Sequence, residues 1–220
     1  MIRFRDISHE YDSGKGGRIL EGISFSIEQG ECVGLTGPSG CGKSTLALIG
    51  AGHLAPSSGE VTVNGERTTG RPGRHVFLIH QESDLFPWLR VGRQIAFALN
   101  GTCRYTVAEL VSLVKLTGFE GYYPNQLSGG MRKRLALARA LAINPKLLIL
   151  DESFGSLDQE LKASLFRDLK EIWALTGTTI LLITHDAGDL ENFVQREIRL
   201  TSQKPTRIQE IVTLPIGQTR

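Results

Sequence analysis

The sequence has few cysteines, little net charge and no long apolar run. Its three cysteines, Cys32, Cys41 and Cys103, are an odd number without metal-ligand spacing, which excludes a disulfide framework and indicates a reducing compartment. A formal net charge of +2 over 220 residues argues neither for nor against nucleic acid as a partner. No segment has the apolar core of a signal peptide, or the roughly 18 apolar residues that span a bilayer. We therefore expect any membrane role to come through a partner.

The most informative stretch runs from residue 37 to 45, between an apolar segment and a helical one. Strand, glycine-rich turn and helix form the context that the phosphate-cradling motif G-x-x-x-x-G-K-[ST] requires. The glycines let backbone N–H groups line an anion-sized cup, Lys43 supplies charge for the β- and γ-phosphates, and the Ser44 hydroxyl is placed to ligate Mg²⁺. The alternative is a surface loop that happens to contain a lysine. The predicted nucleotide-binding residues are Gly37, Pro38, Ser39, Gly40, Cys41, Gly42, Lys43, Ser44 and Thr45.

The apolar pattern predicts an α/β fold. Residues 2–30 alternate apolar and polar, which is typical of antiparallel strands with one exposed face. Residues 147–150 are an apolar run without alternation, which is typical of a buried strand in a parallel sheet, and residues 178–184 are predicted to form another strand. Between residues 83 and 126 the apolar spacing becomes helical.

We therefore expect a P-loop nucleoside triphosphatase core with a mostly parallel sheet, an N-terminal antiparallel β subdomain and an inserted helical subdomain. The core is predicted over residues 1–82 and 145–220. The helical subdomain is predicted over about 83–144.

Polar side chains follow the apolar strands at the sheet edge where ligands bind in open α/β folds. Asp151 can hold Mg²⁺, directly or through water, and the next residue, Glu152, can polarise the water that attacks the γ-phosphate. His185 and Gln81 can contact the γ-phosphate, Mg²⁺ or that water. The alternative for a carboxylate in this position is a cap on the next helix.

A second glycine-rich helix start occurs at Ser128, Gly129 and Gly130. Free N–H groups and the helix dipole make such a terminus an anion site, whereas the structural alternative is an N-cap that needs no ligand. Two such termini in one chain suggest a head-to-tail dimer, in which the second terminus faces a nucleotide held by another copy.

Two further residues allow alternative interpretations. Tyr11 precedes a glycine-rich loop, where its ring either stacks on a nucleotide base or packs at a strand end. Cys41 lies beside Lys43 at a helix start, an environment that lowers the pKa of a thiol. We expect alkylation of Cys41 to block ATPase activity and ATP to protect it; the alternative is a buried, inert thiol.

In the identity and order of these motifs, nearly the whole chain resembles the nucleotide-binding subunit of ATP-binding cassette (ABC) transporters. The matching motifs are Tyr11 as the adenine-stacking aromatic, GPSGCGKST (37–45) as the Walker A loop, Gln81 at the Q-loop, LSGGM (127–131) as the signature, LLILDE (147–152) as the Walker B strand, Ser156-Leu157-Asp158 as the D-loop and His185 as the switch histidine. One departure is Ser153, which stands where the family usually has proline after the catalytic glutamate; this puts the turnover rate in doubt more than ATP binding.

The resemblance implies an ATPase that uses ATP and Mg²⁺ and works as a dimer, with ATP sandwiched between one copy's Walker A loop and the signature of the other. The implied catalytic residues are Glu152, His185, Gln81 and Lys43. The implied metal ligands are Ser44, Gln81 and Asp151. Ser128, Gly129, Gly130 and Asp158 are implied to contact the nucleotide from the second copy.

The resemblance also implies partners and a location. The partners are integral membrane permease subunits and, indirectly, a solute-binding protein, with no nucleic acid. They hold the chain at the cytoplasmic face of the inner or plasma membrane.

A narrower likeness concerns FPWL (86–89), YPNQ (123–126) and FGSLD (154–158), which are similar to the nitrate/sulfonate/taurine importer subfamily. It implies import of a small solute of that kind. The alternative function is a soluble ABC-type ATPase with a non-transport role, such as DNA repair or cluster assembly. Copurification with a membrane protein, as against DNA or a soluble scaffold, separates the two.

Overall fold

The computed structural model describes residues 1–11, 17–80, 85–99, 101–152, 158–185, 187–190 and 194–214. Contacts divide the chain into two compact units. Unit 1 comprises Met1–Leu78, Lys146–Glu152 and Gly177–Arg220, and unit 2 comprises Ile79–Pro145 and Ser153–Thr176.

Unit 1 contains a four-stranded antiparallel sheet in the order β2-β1-β4-β5. Its strands are β1 (Ile2–Glu10), β2 (Arg18–Ile27), β4 (Ser58–Val63) and β5 (Glu66–Arg67). The alternation seen in the sequence places Ile2 and Phe4 of β1 on the buried face, where the Phe4 and Phe25 rings stack with centroids 4.3 Å apart. A shift in the pairing register between Phe4 and Ile7 brings Ile7 to the buried face as well. The predicted antiparallel β subdomain is therefore present.

A second sheet of six strands has the order β10-β9-β3-β8-β7-β6. Its strands are β3 (Cys32–Thr36), β6 (Val76–Ile79), β7 (Leu147–Asp151), β8 (Ile180–Ile183), β9 (Arg196–Leu200) and β10 (Ile208–Thr213). Strands β9, β3, β8 and β7 pair in parallel, and β10 pairs antiparallel with β9. Every residue of β3, β7 and β8 is buried, as expected for continuous apolar strands in a parallel sheet. Helix α1 (Lys43–Gly50) follows β3 and packs against β7.

Unit 2 is helical in the part of the chain that the structure describes. Its helices are α2 (Val91–Ala98), α3 (Val107–Leu113), α4 (Gly129–Ile143) and α5 (Gln159–Thr176), with a 3₁₀ turn at Pro124–Gln126. Thr106 and Glu109 form a capping box at the start of α3. Helix α4 ends at Asn144, whose φ of 52° is a left-handed cap before Pro145. No described helix in either unit is both long enough and apolar enough to cross a bilayer.

The two units differ from the predicted boundaries at each end of the helical segment, since Ile79, His80 and Pro145 of the predicted core fall in unit 2, and more widely after residue 152. The sequence pattern groups residues 145–220 with the core, whereas Ser153–Thr176 fall in unit 2. The physical reason is that α5 packs on α4, where Gly130 leaves room for Leu161 and Arg134 pairs with Asp168.

Candidate functional site

The phosphate loop joins β3 to α1 at the carboxyl end of a fully buried strand. Gly40 and Gly42 have φ of 75° and 104°, and Gly42 is the N-cap of α1. A Cβ on Gly42 would lie 2.8 Å from Cδ2 of Leu20, so both the left-handed backbone and the contact with β2 require glycine there. The buried Lys43 Nζ donates to the carbonyls of Gly37 and Pro38, at 2.8 and 3.0 Å.

This loop forms the floor of a cavity of about 320 Å³ in unit 1. Its walls come from both sheets of the unit and from the start of α1. The lining residues are Tyr11, Ile19, Ser39, Gly40, Gly42, Lys43, Ser44, Thr45 and Glu152. The predicted cradle and the carboxylate after β7 therefore share one concave site.

Glu152, after β7, lies near both Lys43 and His185, which follows β8. Glu152 Oε1 lies 3.9 Å from Lys43 Nζ and 3.4 Å from His185 Nδ1. Its backbone N–H donates to the Ile183 carbonyl at 3.1 Å, and its φ of 43° is unusual for a residue other than glycine. Asp151 is buried at the end of β7, one residue before. The parallel pairing of β7 with β8 thus brings a carboxylate, an imidazole and the loop lysine together.

Tyr11 follows β1 and borders the same cavity. Its hydroxyl lies 3.2 Å from Oγ1 of Thr45, in the first turn of α1, and its ring meets the buried His9 ring edge-on with centroids 4.6 Å apart. The tyrosine is 41% exposed, so one part of the ring remains open to solvent.

The second glycine-rich terminus lies in unit 2. Ser128 is the N-cap of α4, and its hydroxyl accepts from the Met131 N–H at 3.3 Å. Asp158 Oδ1 accepts from the Leu161 N–H at 2.9 Å at the start of α5. Both side chains therefore cap the helix that follows them. For Ser128 this is the N-cap that was the alternative to an anion site. Of the other predicted site residues, Gln81, Ser156 and Leu157 lie outside the described residues, as does Ser153.

The comparison with known proteins agrees with this geometry. A family profile described as ABC transporter matches residues 20–155. The chain belongs to the ABC transporter family.

Two curated ABC proteins show the extent of the similarity. The aliphatic sulfonates import ATP-binding protein SsuB of Bacillus subtilis (strain 168) is 41% identical over 210 residues, covering 94% of this chain and 82% of SsuB. The taurine import ATP-binding protein TauB of Yersinia pestis bv. Antiqua (strain Nepal516) is 39% identical over 224 residues, covering 99% of this chain and 86% of TauB.

Among solved structures, the ATP-binding cassette MJ0796 in a dimeric, post-hydrolysis state bound to ADP and Pi has a TM-score of 0.80 and 26% identity, with full coverage of both chains. The predicted α/β P-loop fold, and the resemblance to ABC subunits of sulfonate and taurine importers, are confirmed.

The donor set of this ABC cassette fits Mg·ATP. Magnesium prefers oxygen ligands and usually keeps several waters while taking only one or two protein groups together with substrate phosphates. The Ser44 hydroxyl in the cavity wall and the Asp151 carboxylate are groups of that kind. The chemistry therefore suits a metal held jointly with phosphate.

The environment of Cys41 differs from the one expected to lower its pKa. The thiol is 2% exposed, and Sγ would lie 2.9 Å from a Cβ on Gly37, inside the loop's own packing. Burial raises the pKa of Cys41, and the nearby Lys43 charge only partly opposes it. Burial therefore outweighs the lysine and the helix terminus in setting the pKa of this thiol, which favours the alternative of a buried thiol, and its reactivity stays a prediction.

The sequence did not indicate a hydrogen-bonded series of charged side chains next to the phosphate loop, on β9 and β10. Thr36 is the last residue of β3, and its Oγ1 donates to Glu197 Oε1 of the neighbouring β9 at 2.6 Å. Arg199 donates to Glu197 Oε2 at 2.8 Å and to Glu210 of β10 at 2.6 Å. Burial raises the pKa of Glu197, but the hydrogen bonds from Arg199 and Thr36 outweigh it and hold the pKa below its ordinary value. The sequence carries little signal for this cluster, because three of the five residues of β9 (Arg196, Glu197 and Arg199) are charged, which does not mark Glu197 as buried.

Proposed function

We propose that this chain is the ATP-hydrolysing subunit of an importer for a small organic sulfonate, of the aliphatic sulfonate or taurine kind. The observation that carries the proposal is the approach of Glu152 to both Lys43 and His185 at the wall of the phosphate-loop cavity. The importer functions named for SsuB and TauB support the choice of solute class.

In the proposed site, the loop 37–45 cradles the phosphates with backbone N–H groups, and Lys43 pairs with the β- and γ-phosphates. Ser44, Asp151 and Gln81 are the proposed Mg²⁺ ligands. The metal, when bound, neutralises charge on the phosphate oxygens. The open part of the Tyr11 ring stacks on the adenine base.

Glu152 is the proposed acceptor of the proton from the attacking water. His185, 3.4 Å from Glu152, and Gln81 are proposed to orient that water and contact the γ-phosphate. The test is Glu152→Gln, which keeps the size of the side chain but removes its basicity. Because general-base catalysis contributes about 10²–10⁴-fold, phosphate release should fall at least about 100-fold while ATP binding persists. Unchanged hydrolysis would show that Glu152 does not have this role.

The signature residues are proposed to act on a second copy of the chain. In a head-to-tail dimer, the N-terminus of α4, with Ser128, Gly129 and Gly130, faces the γ-phosphate held by the partner's loop, and Asp158 lies near the same boundary. The dimeric MJ0796 cassette bound to ADP and Pi supports this arrangement. The Glu152→Gln variant should therefore dimerise when Mg·ATP is added, because it binds nucleotide without consuming it.

An exposed aromatic cluster in unit 2 is the proposed docking surface for the permease. Trp88 and Phe97 are 70% and 73% exposed, and both pack on Phe86 with ring centroids 5.6 Å away. Cζ of Arg139 lies 4.6 Å from the centroid of the Phe86 ring, and this cation–π contact holds Phe86 in place beneath the two exposed rings. Fixed, exposed aromatic rings of this kind are typical of protein interfaces.

Copurification tests the docking surface. The chain should copurify with an integral membrane protein, and Trp88→Ala with Phe97→Ala should abolish this. Leu175→Ala, which truncates another exposed apolar residue of unit 2, should not. Association with DNA or a soluble scaffold instead would favour the non-transport alternative. The proposed location is the cytoplasmic face of the membrane, held by the permease, with a solute-binding protein as the indirect partner.

A further inference from the structure

A buried carboxylate joins three helices of unit 2. Asp168 of α5 is 5% exposed, although it lies on a helix that faces solvent along much of its length. Lys115 Nζ donates to its Oδ1 at 2.5 Å, and Arg134 Nη2 lies 2.6 Å from its Oδ2, an ion pair without the alignment of a hydrogen bond. A buried carboxylate between two cations is costly to disturb, because losing one partner leaves an uncompensated charge.

One of these cations belongs to the helix that begins with the signature residues. Arg134 lies in the second turn of α4, which starts at Gly129 after the N-cap Ser128. Gly130, in the first turn, approaches α5 so closely that a Cβ there would lie 2.7 Å from Leu161 Cδ1. The first two turns of α4 therefore pack on α5 through the Gly130–Leu161 contact and the Arg134–Asp168 ion pair.

The other cation ties α3 to the same place. Lys115 follows the end of α3 with a φ of 57°, a strained conformation for a residue other than glycine. Its ammonium also contacts the exposed Glu171 at 3.0 Å, and the bonds to Asp168 and Glu171 raise the pKa of Lys115. The strained backbone is thus held by charge pairing with α5.

We propose that Asp168 is a positioning residue that sets where the signature end of α4 lies on α5. It thereby governs the ATP-dependent pairing of two copies and contributes nothing to ATP binding by one copy. The inference rests on the proposed dimer, because only there does the N-terminus of α4 meet a nucleotide. The cradle and the proposed catalytic residues Lys43, Glu152 and His185 belong to unit 1, whereas Asp168, Arg134 and Lys115 all belong to unit 2.

The test compares two equilibria in the full chain carrying Glu152→Gln: the dissociation constant of ATP from the monomer and that of the Mg·ATP-induced dimer. Asp168→Asn should weaken the dimer at least 10-fold and change ATP affinity by less than 2-fold. Glu171→Gln, which removes the exposed carboxylate on the same lysine, is the matched control and should change neither. Arg134→Lys keeps a cation beside Asp168, which protects folding, but the lysine side chain is shorter and lacks the guanidinium group. Because the ion pair is weakened and not removed, the dimer should weaken 3- to 5-fold.

Each outcome decides the inference. A dimer of parental strength in Asp168→Asn and Arg134→Lys overturns it, as does an equal loss of ATP affinity and dimerisation. If Asp168→Asn does not fold, Arg134→Lys alone decides. If the Glu152→Gln parent itself stays monomeric in Mg·ATP, the proposed dimer fails and this inference fails with it, whereas a dimerising parent with unaffected variants refutes Asp168 alone.

Discussion

The buried bond between Thr36 and Glu197 allows a quantitative test of how the phosphate loop is held. Thr36 precedes Gly37 directly, and its hydroxyl donates to a carboxylate that is 4% exposed. Thr36→Val keeps the shape of the side chain and removes the donor. Among the described residues, the one side-chain hydrogen bond that Glu197 then keeps comes from Arg199, on its own strand.

The size of the effect follows from the kind of bond lost. A hydrogen bond to a charged group contributes about 1.5–3 kcal/mol, so Thr36→Val should cost about 2 kcal/mol. For a chain of this length that corresponds to a fall in Tm of roughly 4–8 °C. The Arg199–Glu210 pair is more exposed, with 43% and 45% of the side chains accessible, so water screens it and its contribution to stability is small. Glu210→Gln is therefore the matched control and should shift Tm little.

The pH dependence gives a second, independent readout. The pKa of Glu197 in the folded chain is below its ordinary value of 4.5, so the ionised carboxylate stabilises the fold. That stability is fully present above pH 4.5 and is lost as the pH falls through the lower folded pKa. The difference in Tm between the native chain and Glu197→Gln should therefore be constant from pH 7 to about 5 and shrink below 4.5.

Thermal unfolding followed by circular dichroism measures both effects. A native Tm in Thr36→Val at pH 7 would refute the role given to the buried bond. A difference in Tm between the native chain and Glu197→Gln that does not shrink below pH 4.5 would also refute it.

Three further predictions concern the cavity. Gly42→Ala should lower stability by about 1–3 kcal/mol and weaken ATP binding, because φ is 104° and the new methyl group meets Leu20; thermal melts and calorimetric titration with ATP measure the two effects. Cys41, buried and with a raised pKa, should be alkylated by iodoacetamide more slowly than the half-buried Cys103, and peptide mass spectrometry reports the order. Tyr11→Ala should weaken ATP binding by about 1–3 kcal/mol, the range for base stacking on an aromatic ring, whereas Tyr11→Phe should retain most of the affinity; a smaller loss for alanine than for phenylalanine contradicts stacking.

The sequence predicted those parts of the fold that depend on local patterns. The apolar runs identified β7 and β8, and the rule that ligands bind at the carboxyl ends of parallel strands predicted that Glu152, His185 and Lys43 would meet. Ser128 was predicted to start a helix, and it is the N-cap of α4. In each case the signal lay within a few residues of the feature.

What the sequence did not predict depends on packing between distant segments. The loop packs the thiol of Cys41 inward and burial raises its pKa, which the lysine and helix terminus beside it do not indicate. Glu197 and Asp168 are buried, and their partners Thr36 and Arg134 are distant in sequence. The charged sequence of β9 does not mark Glu197 as buried, and for both carboxylates only the fold identifies the partner.

Measuring transport tests the proposed import of a sulfonate. Vesicles carrying the chain with its permease and solute-binding protein would be loaded with Mg·ATP, and the uptake of radiolabelled taurine and of an aliphatic sulfonate would be followed. We predict uptake that requires ATP on the side of this chain and that stops with Glu152→Gln, while Leu175→Ala transports normally. Uptake that continues in the Glu152→Gln variant, or no ATP-dependent uptake of either solute, would contradict the proposal that hydrolysis at this site drives import of a sulfonate.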